Sequence, residues 1–224
     1  MPCAKPCRGM MRATATRFAA LWKRAIAVPP SPAASAVHAD LVRRLDSPGR
    51  VFHNLRHIDD CLCRFDEVAR HLDQPDAVEI ALWFHDAVYE PGDPTNERRS
   101  ADLFVAQASG GSHALRARVV SLIMATERKE APRSDDARFI DDIDLAGFGV
   151  GWAAFARSSA QLRREFAQLT DADYYRGQWK FLSRLRRRPK FFRTAYFRDR
   201  YETQAQANLD RLLTDLARRG YGAA

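Results

Sequence analysis

The sequence predicts an all-α protein, and three observations carry that prediction. Apolar residues recur at steps of three and four along most of the chain, the mark of helices with one buried face. Alternation with a period of two, which a half-buried strand shows, is nearly absent. Glycine, proline and aspartate gather where the periodic segments stop, so the breaks fall where helices end.

Residues 1–15 read as a disordered basic extension, because they lack periodicity and no acid precedes Asp40. A mitochondrial-type presequence is the alternative for this arginine-rich start, whereas Lys23 and Arg24 spoil a secretory core. A helix is expected around 36–46, closed by "SPGR" (47–50). Leu55, Ile58, Leu62, Phe65, Ala69 and Leu72 form the stripe of the next helix. Pro75 and Asp76 open another, with Ile80, Ala81, Phe84 and Val88 facing inward and His85 and Asp86 in mid-helix. "EPGDPT" (90–95) is a loop, and 96–109 reads as helix until Gly110, Gly111 and Ser112 break it. Leu115, Val119, Leu122 and Ile123 mark the following helix. "SDDARFIDDIDLAGFG" (134–149) reads as a short helix running into glycine turns. Helices near 151–169, 171–187 and 195–219 complete the chain, the last stopped by Gly220. At 224 residues, one domain spanning 16–220 is the expectation.

The net charge of +8 invites a nucleic-acid reading, but its distribution argues against one. Lys5, Arg8, Arg12, Arg17, Lys23 and Arg24 supply most of it, and the rest of the chain is close to neutral. "RLRRRPKFFR" (184–193) is a second basic run, for which a solvated face is the commoner meaning. No apolar run approaches the ~18 residues of a membrane span. A cytoplasmic protein that binds neither nucleic acid nor membrane is therefore expected. Cys61 and Cys63 lie two apart on a helix and point to different sides, so they cannot share a metal, and no zinc-finger framework is present.

Polar residues embedded in the apolar helices carry the chemistry. His53 and His57 are four apart, on one face if the helix already runs there. His85 and Asp86 interrupt "ALWFHDAVYE", where a desolvated charge is costly unless it is paired or bound to a metal. Asp142 and Asp144 flank Ile143 in "FIDDIDLAGFG". Imidazole and carboxylate together suit a divalent ion such as Mn, Fe, Ni, Zn or Mg, and a closed thiolate site is not expected. Each residue also has a plainer reading. His85 alone could be a hydrogen-bonded core histidine, Asp86 could cap a helix, and the two later acids could open a turn. His38, His71 and His113 read as surface residues.

The order His57, then His85-Asp86, then Asp144 resembles the metal-ligand pattern of the HD superfamily of metal-dependent phosphohydrolases. The strings "PGRVFHNLRHI", "ALWFHDAVYEPGDPTNERRSA" and "FIDDIDLAGFG" resemble a bacterial family within it, over about 18–218. "FHNLRHI" is also similar to an element of cyclic-nucleotide phosphodiesterases. The resemblance implies a helical HD domain in which His57, His85, Asp86 and Asp144 hold a divalent metal that activates water. His53 would then protonate the leaving oxygen, with Asp142 beside the ligands. Glu97 either begins a helix or orients a water or histidine near the metal, and Arg50 either grips phosphate or forms a surface ion pair. The implied reaction is hydrolysis of a small phosphate mono- or diester, a nucleotide being one candidate. A catalytically silent module that binds metal or nucleotide is the alternative. Relatives carry histidine shortly after "MAT", where this chain has "ERKE" (127–130), which leaves a second metal without that ligand.

Overall fold

The computed structural model describes residues 11–26 and 32–222. Every regular element among them is helical, and none is a strand. None of these helices is long and apolar enough to cross a membrane. Within the expected span 16–220 the chain divides into two compact units, one running to Asp144 and the other starting at Leu145.

The first unit contains α1 (Ala15–Ala25), α2 (Ala34–Leu45), α3 (Leu55–Val68), α4 (Pro75–Phe84), α5 (Asn96–Gln107), α6 (His113–Ala125) and α7 (Asp135–Leu145). Helix α4 is its centre and packs against α1, α3, α5 and α6. Residues 77–84 are all buried, and they are apolar around the helix except for Glu79, which pairs with Arg17 of α1 at 2.7 Å. Its start is anchored by Asp136 of α7, whose carboxylate accepts the backbone N–H groups of Asp73 and Gln74 at 2.9 and 3.0 Å. A negative charge at that end suits the helix dipole. Phe18 of α1 meets Trp83 edge-on, Trp22 stacks on Phe84, and Phe104 of α5 meets Phe84 edge-on. His38, expected at the surface, is half-buried and packs against the rings of both Phe18 and Trp83. Burial there lowers its pKa.

The expected basic extension is only partly described, since residues 1–10 lie outside the described residues. Residues 11–15 belong to the fold. The N–H groups of Arg12 and Ala13 donate to Asp59 of α3, and Thr14 caps α1 by accepting from the Arg17 N–H. The stripe helix stops at Val68, and a single 3-10 turn, Ala69–His71, carries the chain to Leu72.

His85 and Asp86 are not in mid-helix. Helix α4 ends at Phe84, with His85 as its C-cap and its N–H on the Ala81 carbonyl at 2.8 Å. The chain then turns, and two side chains from α5 replace the lost helical hydrogen bonds. Ser100 Oγ accepts from the Val88 N–H and donates to the Val88 carbonyl, at 3.0 and 3.1 Å. The Asn96 amide does the same for Glu90, at 2.8 Å in both directions. Buried main-chain groups that leave a helix need such partners.

The second unit begins with a 3-10 turn, Ala146–Gly149, followed by α8 (Trp152–Glu165), α9 (Asp171–Arg186) and α10 (Ala195–Arg218). The turn sits on α10. A Cβ at Gly149 would lie 2.5 Å from the Tyr201 Cβ, so the close approach requires glycine. Asn208 donates to the carbonyls of Phe148 and Val150 at 2.8 and 2.7 Å, which pins the turn. The basic run 184–193 is partly structural. Phe191 and Phe192 are buried, their N–H groups donate to Glu202, and Arg186 pairs with Asp210. Gly220 ends α10 with φ +82°, the left-handed cap its position suggests.

Candidate metal centre

The site lies in the first unit and is assembled from α3, the end of α4 and the end of α7. Asn54 caps α3, accepting from the Arg56 N–H at 3.0 Å while its amide donates to the Val51 carbonyl at 3.0 Å. The cap starts the helix at Leu55, so His57 falls in its first turn and Cys61 one turn later on the same face. His53 precedes the helix. Its ring lies against Tyr89 with centroids 4.1 Å apart, and edge-on to His57 at 5.8 Å.

His85 Nδ1 lies 2.9 Å from the Leu82 carbonyl, which can only accept. Nδ1 therefore carries hydrogen, and in the neutral imidazole Nε2 is left with a lone pair. That lone pair points into a cluster of other acceptors. His85 Nε2 is 3.3 Å from His57 Nε2, 3.0 Å from Asp86 Oδ2 and 3.5 Å from Asp144 Oδ1. His57 Nε2 is 3.4 Å from Asp86 Oδ2 and 3.0 Å from Asp144 Oδ1. Acceptors this close repel one another unless protons or a cation lie among them.

The spacing fits a metal. Ligand bonds of ~2.0–2.2 Å place tetrahedral donors ~3.4 Å apart and adjacent octahedral donors ~3.0 Å apart. The five separations, 3.0 to 3.5 Å, cover that range. Cys61 joins the group, its Sγ 3.6 Å from His57 Nε2. Donor atoms of His57, Cys61, His85 and Asp144 all lie within 4.8 Å of one another, so these residues could hold a metal ion. Sequence reasoning passed over Cys61 because it weighed the thiol only against Cys63. The HxxxC spacing of His57 and Cys61 was the available signal.

With no ion bound, burial opposes a positive charge at His57, but Cys61 and Asp144 outweigh it and raise the pKa well above the usual histidine value. Burial likewise opposes charge at His85, and Asp86 and Asp144 overcome it. Burial also works against the Asp86 and Asp144 carboxylates. His85 at Asp86, and Arg128 with the imidazoles at Asp144, hold both below the ordinary carboxylate range. Metal binding exchanges these imidazole protons for the ion.

The remaining expected residues surround this centre. Asp142 is fully buried, and the four-residue donor set takes in Asp144 but neither Asp142 nor the expected ligand Asp86, whose Oδ2 stands beside both imidazoles while Cys61 takes the fourth place. Arg50 donates from Nη1 to the carbonyls of His53 and Asp86, at 3.0 and 2.5 Å, and from Nη2 to Ala87 at 3.1 Å. It thereby braces the turn that carries Asp86 against the segment before α3. Glu97 stands in the first turn of α5, half-buried. Burial, and then the charges of Asp86 and Glu127, raise its carboxyl pKa. Asn96 and Ser100, which lie within the expected helix 96–109, clamp the loop after Asp86.

One contributor had no sequence signal. Arg128, from the segment after α6, reaches Asp144 Oδ2 with Nη2 and Asp141 Oδ1 with Nε, the latter at 2.6 Å. No protein-family model matches this chain, and neither a curated protein nor a solved structure matches it.

Proposed function

We propose that the chain is an HD-type metal-dependent phosphohydrolase that cleaves a small phosphate mono- or diester, a nucleotide being one candidate. The carrying observation is the acceptor cluster of His57, His85, Asp86 and Asp144, with its five separations between 3.0 and 3.5 Å. The sequence resemblance to the HD ligand order supports the same reading.

A bound divalent ion supplies Lewis acidity, which stabilises charge on a phosphoryl oxygen and acidifies water. The chain's own residues do the rest. His85, its Nδ1 tied to Leu82, presents Nε2 in a fixed direction. His53 lies outside the donor set but one ring away from His57, where it can hold a proton for the departing oxygen. Glu97, with its raised carboxyl pKa, suits a proton acceptor or an anchor for water. Arg50 keeps Asp86 in place through the main chain.

The silent-module alternative draws on one observation. Arg50, the cation expected to grip phosphate, is engaged with carbonyl groups. A substrate panel separates the two readings. Purified protein would be loaded with Mn, Co, Ni, Zn or Mg, assayed for metal content, and offered nitrophenyl phosphate, bis-nitrophenyl phosphate and nucleotides. Metal-dependent hydrolysis that His85→Ala abolishes supports the enzyme. Full metal occupancy with no hydrolysis of any ester supports the silent module.

A further inference from the structure

We propose that Arg128 is a positioning residue that holds Asp144 as a one-oxygen ligand and keeps its second oxygen from bridging to a further ion. The inference rests on the metal reading above but not on hydrolysis. The two oxygens of Asp144 face different partners. Oδ1 lies 3.0 and 3.5 Å from the imidazole nitrogens of His57 and His85, while Oδ2 is held by Arg128 Nη2.

The guanidinium is itself fixed at three points. Besides Asp144, Nε donates to Asp141 Oδ1 at 2.6 Å and Nη1 to the Thr126 carbonyl at 2.7 Å. Asp141 and Asp144 are three apart on α7 and share a face, so one planar fork spans both. The three side chains are 11%, 3% and 14% exposed for Arg128, Asp141 and Asp144, so the ion pairs are shielded from water. Arg128 also has φ +58°, a left-handed backbone that a long side chain rarely adopts. Such a conformation persists only where its surroundings hold it, and here they are the two carboxylates, the Thr126 carbonyl and the Ala125 carbonyl that accepts its N–H at 3.2 Å.

This arrangement decides how many cations Asp144 can serve. A carboxylate bridging two metals gives one oxygen to each, and paired ions in such sites stand ~3.5–4 Å apart. A second dication on Asp144 would have to displace Arg128 from Oδ2. That displacement would strand a buried guanidinium and leave Asp141 without this partner, both strongly unfavourable. A lysine has one point charge and cannot hold three fixed acceptors in a plane, which accounts for arginine here.

The test is a Mn(II) titration of the full chain, read by calorimetry and by electron paramagnetic resonance. Arg128→Asn removes the cation and keeps a residue that tolerates the left-handed backbone. It frees Asp144 Oδ2 and is expected to take up one ion more than wild type, with an exchange coupling that wild type lacks. Arg128→Lys keeps the charge without the fork, and should keep the wild-type stoichiometry with affinity reduced ~10–100-fold. An Arg128→Asn protein that is folded and binds as many ions as wild type with unchanged affinity overturns the proposal. If Arg128→Asn fails to fold, the affinity of Arg128→Lys decides instead, and an affinity equal to that of wild type overturns the proposal. A wild type that binds metal but hydrolyses no ester ends the hydrolase reading and supports this one, and a wild type that takes up no ion refutes both.

Discussion

The Nε2 atoms of His57 and His85 stand 3.3 Å apart, with acidic oxygens on either side. The neighbouring acids raise the pKa of both imidazoles, so the metal-free site holds protons that the loaded site gives up. Metal uptake at neutral pH is therefore expected to release protons, on the order of one to two per ion. Calorimetry in two buffers of different ionisation enthalpy measures that release directly. A buffer-independent heat would show that the imidazoles are already neutral.

Stability should depend on pH with opposite signs in the two forms. His57 and His85 have raised pKa values in the metal-free fold, so their contribution is complete below about 6.5 and lost as pH rises through the folded values. Asp86 and Asp144 have lowered values, so theirs is present above about 3.9 and lost as pH falls toward the folded values. Metal-free protein is expected to melt highest between those limits. The added stability on metal loading should grow from pH 6 to pH 8. Melting curves of both forms across this range provide the check, and a gain that shrinks with rising pH would count against histidine ligation.

Cys61 sets a spectroscopic expectation. Its Sγ stands 3.6 Å from His57 Nε2, and a metal–sulfur bond of ~2.3 Å beside a metal–nitrogen bond of ~2.0 Å gives a tetrahedral edge close to that length. The cobalt-loaded protein should show a thiolate-to-metal charge-transfer band that Cys61→Ser lacks, and Cys61→Ser should weaken zinc binding more than manganese binding. If wild type has no such band, Asp86 is the fourth ligand and Cys61 only packs against the site.

His53→Ala is expected to keep its metal and fold. It should lose ~10²–10⁴-fold activity on alkyl or ribosyl phosphates, where the leaving oxygen needs a proton. The loss on a nitrophenyl ester should be much smaller. Equal losses on both would mean that His53 binds substrate or positions water, and loss of the metal would make it a ligand.

Asp136 separates stability from chemistry. Asp136→Ala removes the carboxylate that accepts the N–H groups of Asp73 and Gln74 at the start of α4. A cost of about 1–3 kcal/mol follows from unsatisfied donors at a helix N-terminus. Denaturant melts should show it, with metal stoichiometry unchanged.

The helical class was legible in the sequence through short-range rules, whereas the grouping of His57 with His85, Asp86 and Asp144 was legible only through the resemblance to the HD ligand order. A period of three to four residues puts Leu55, Ile58, Leu62 and Phe65 on one face of α3, and a helix turn sets what shares a face with His57. The same rule held Cys61, four residues on, but a thiol beside an imidazole has no meaning until the other donors are in place. The end of α4 was not legible. "WFHDAV" continues the apolar pattern, and the turn after His85 is held by partners remote in the chain, Ser100 and Asn96 of α5 and Arg50 on the Asp86 and Ala87 carbonyls. The role of Arg128 belongs to tertiary structure. Its backbone follows the end of α6, with its N–H on the Ala125 carbonyl, but its guanidinium meets Asp141 and Asp144, 13 and 16 residues away. Local periodicity determines which side chains share a face, but the environment of each donor depends on groups that only the packing of α3, α4 and α7 brings within a few ångströms.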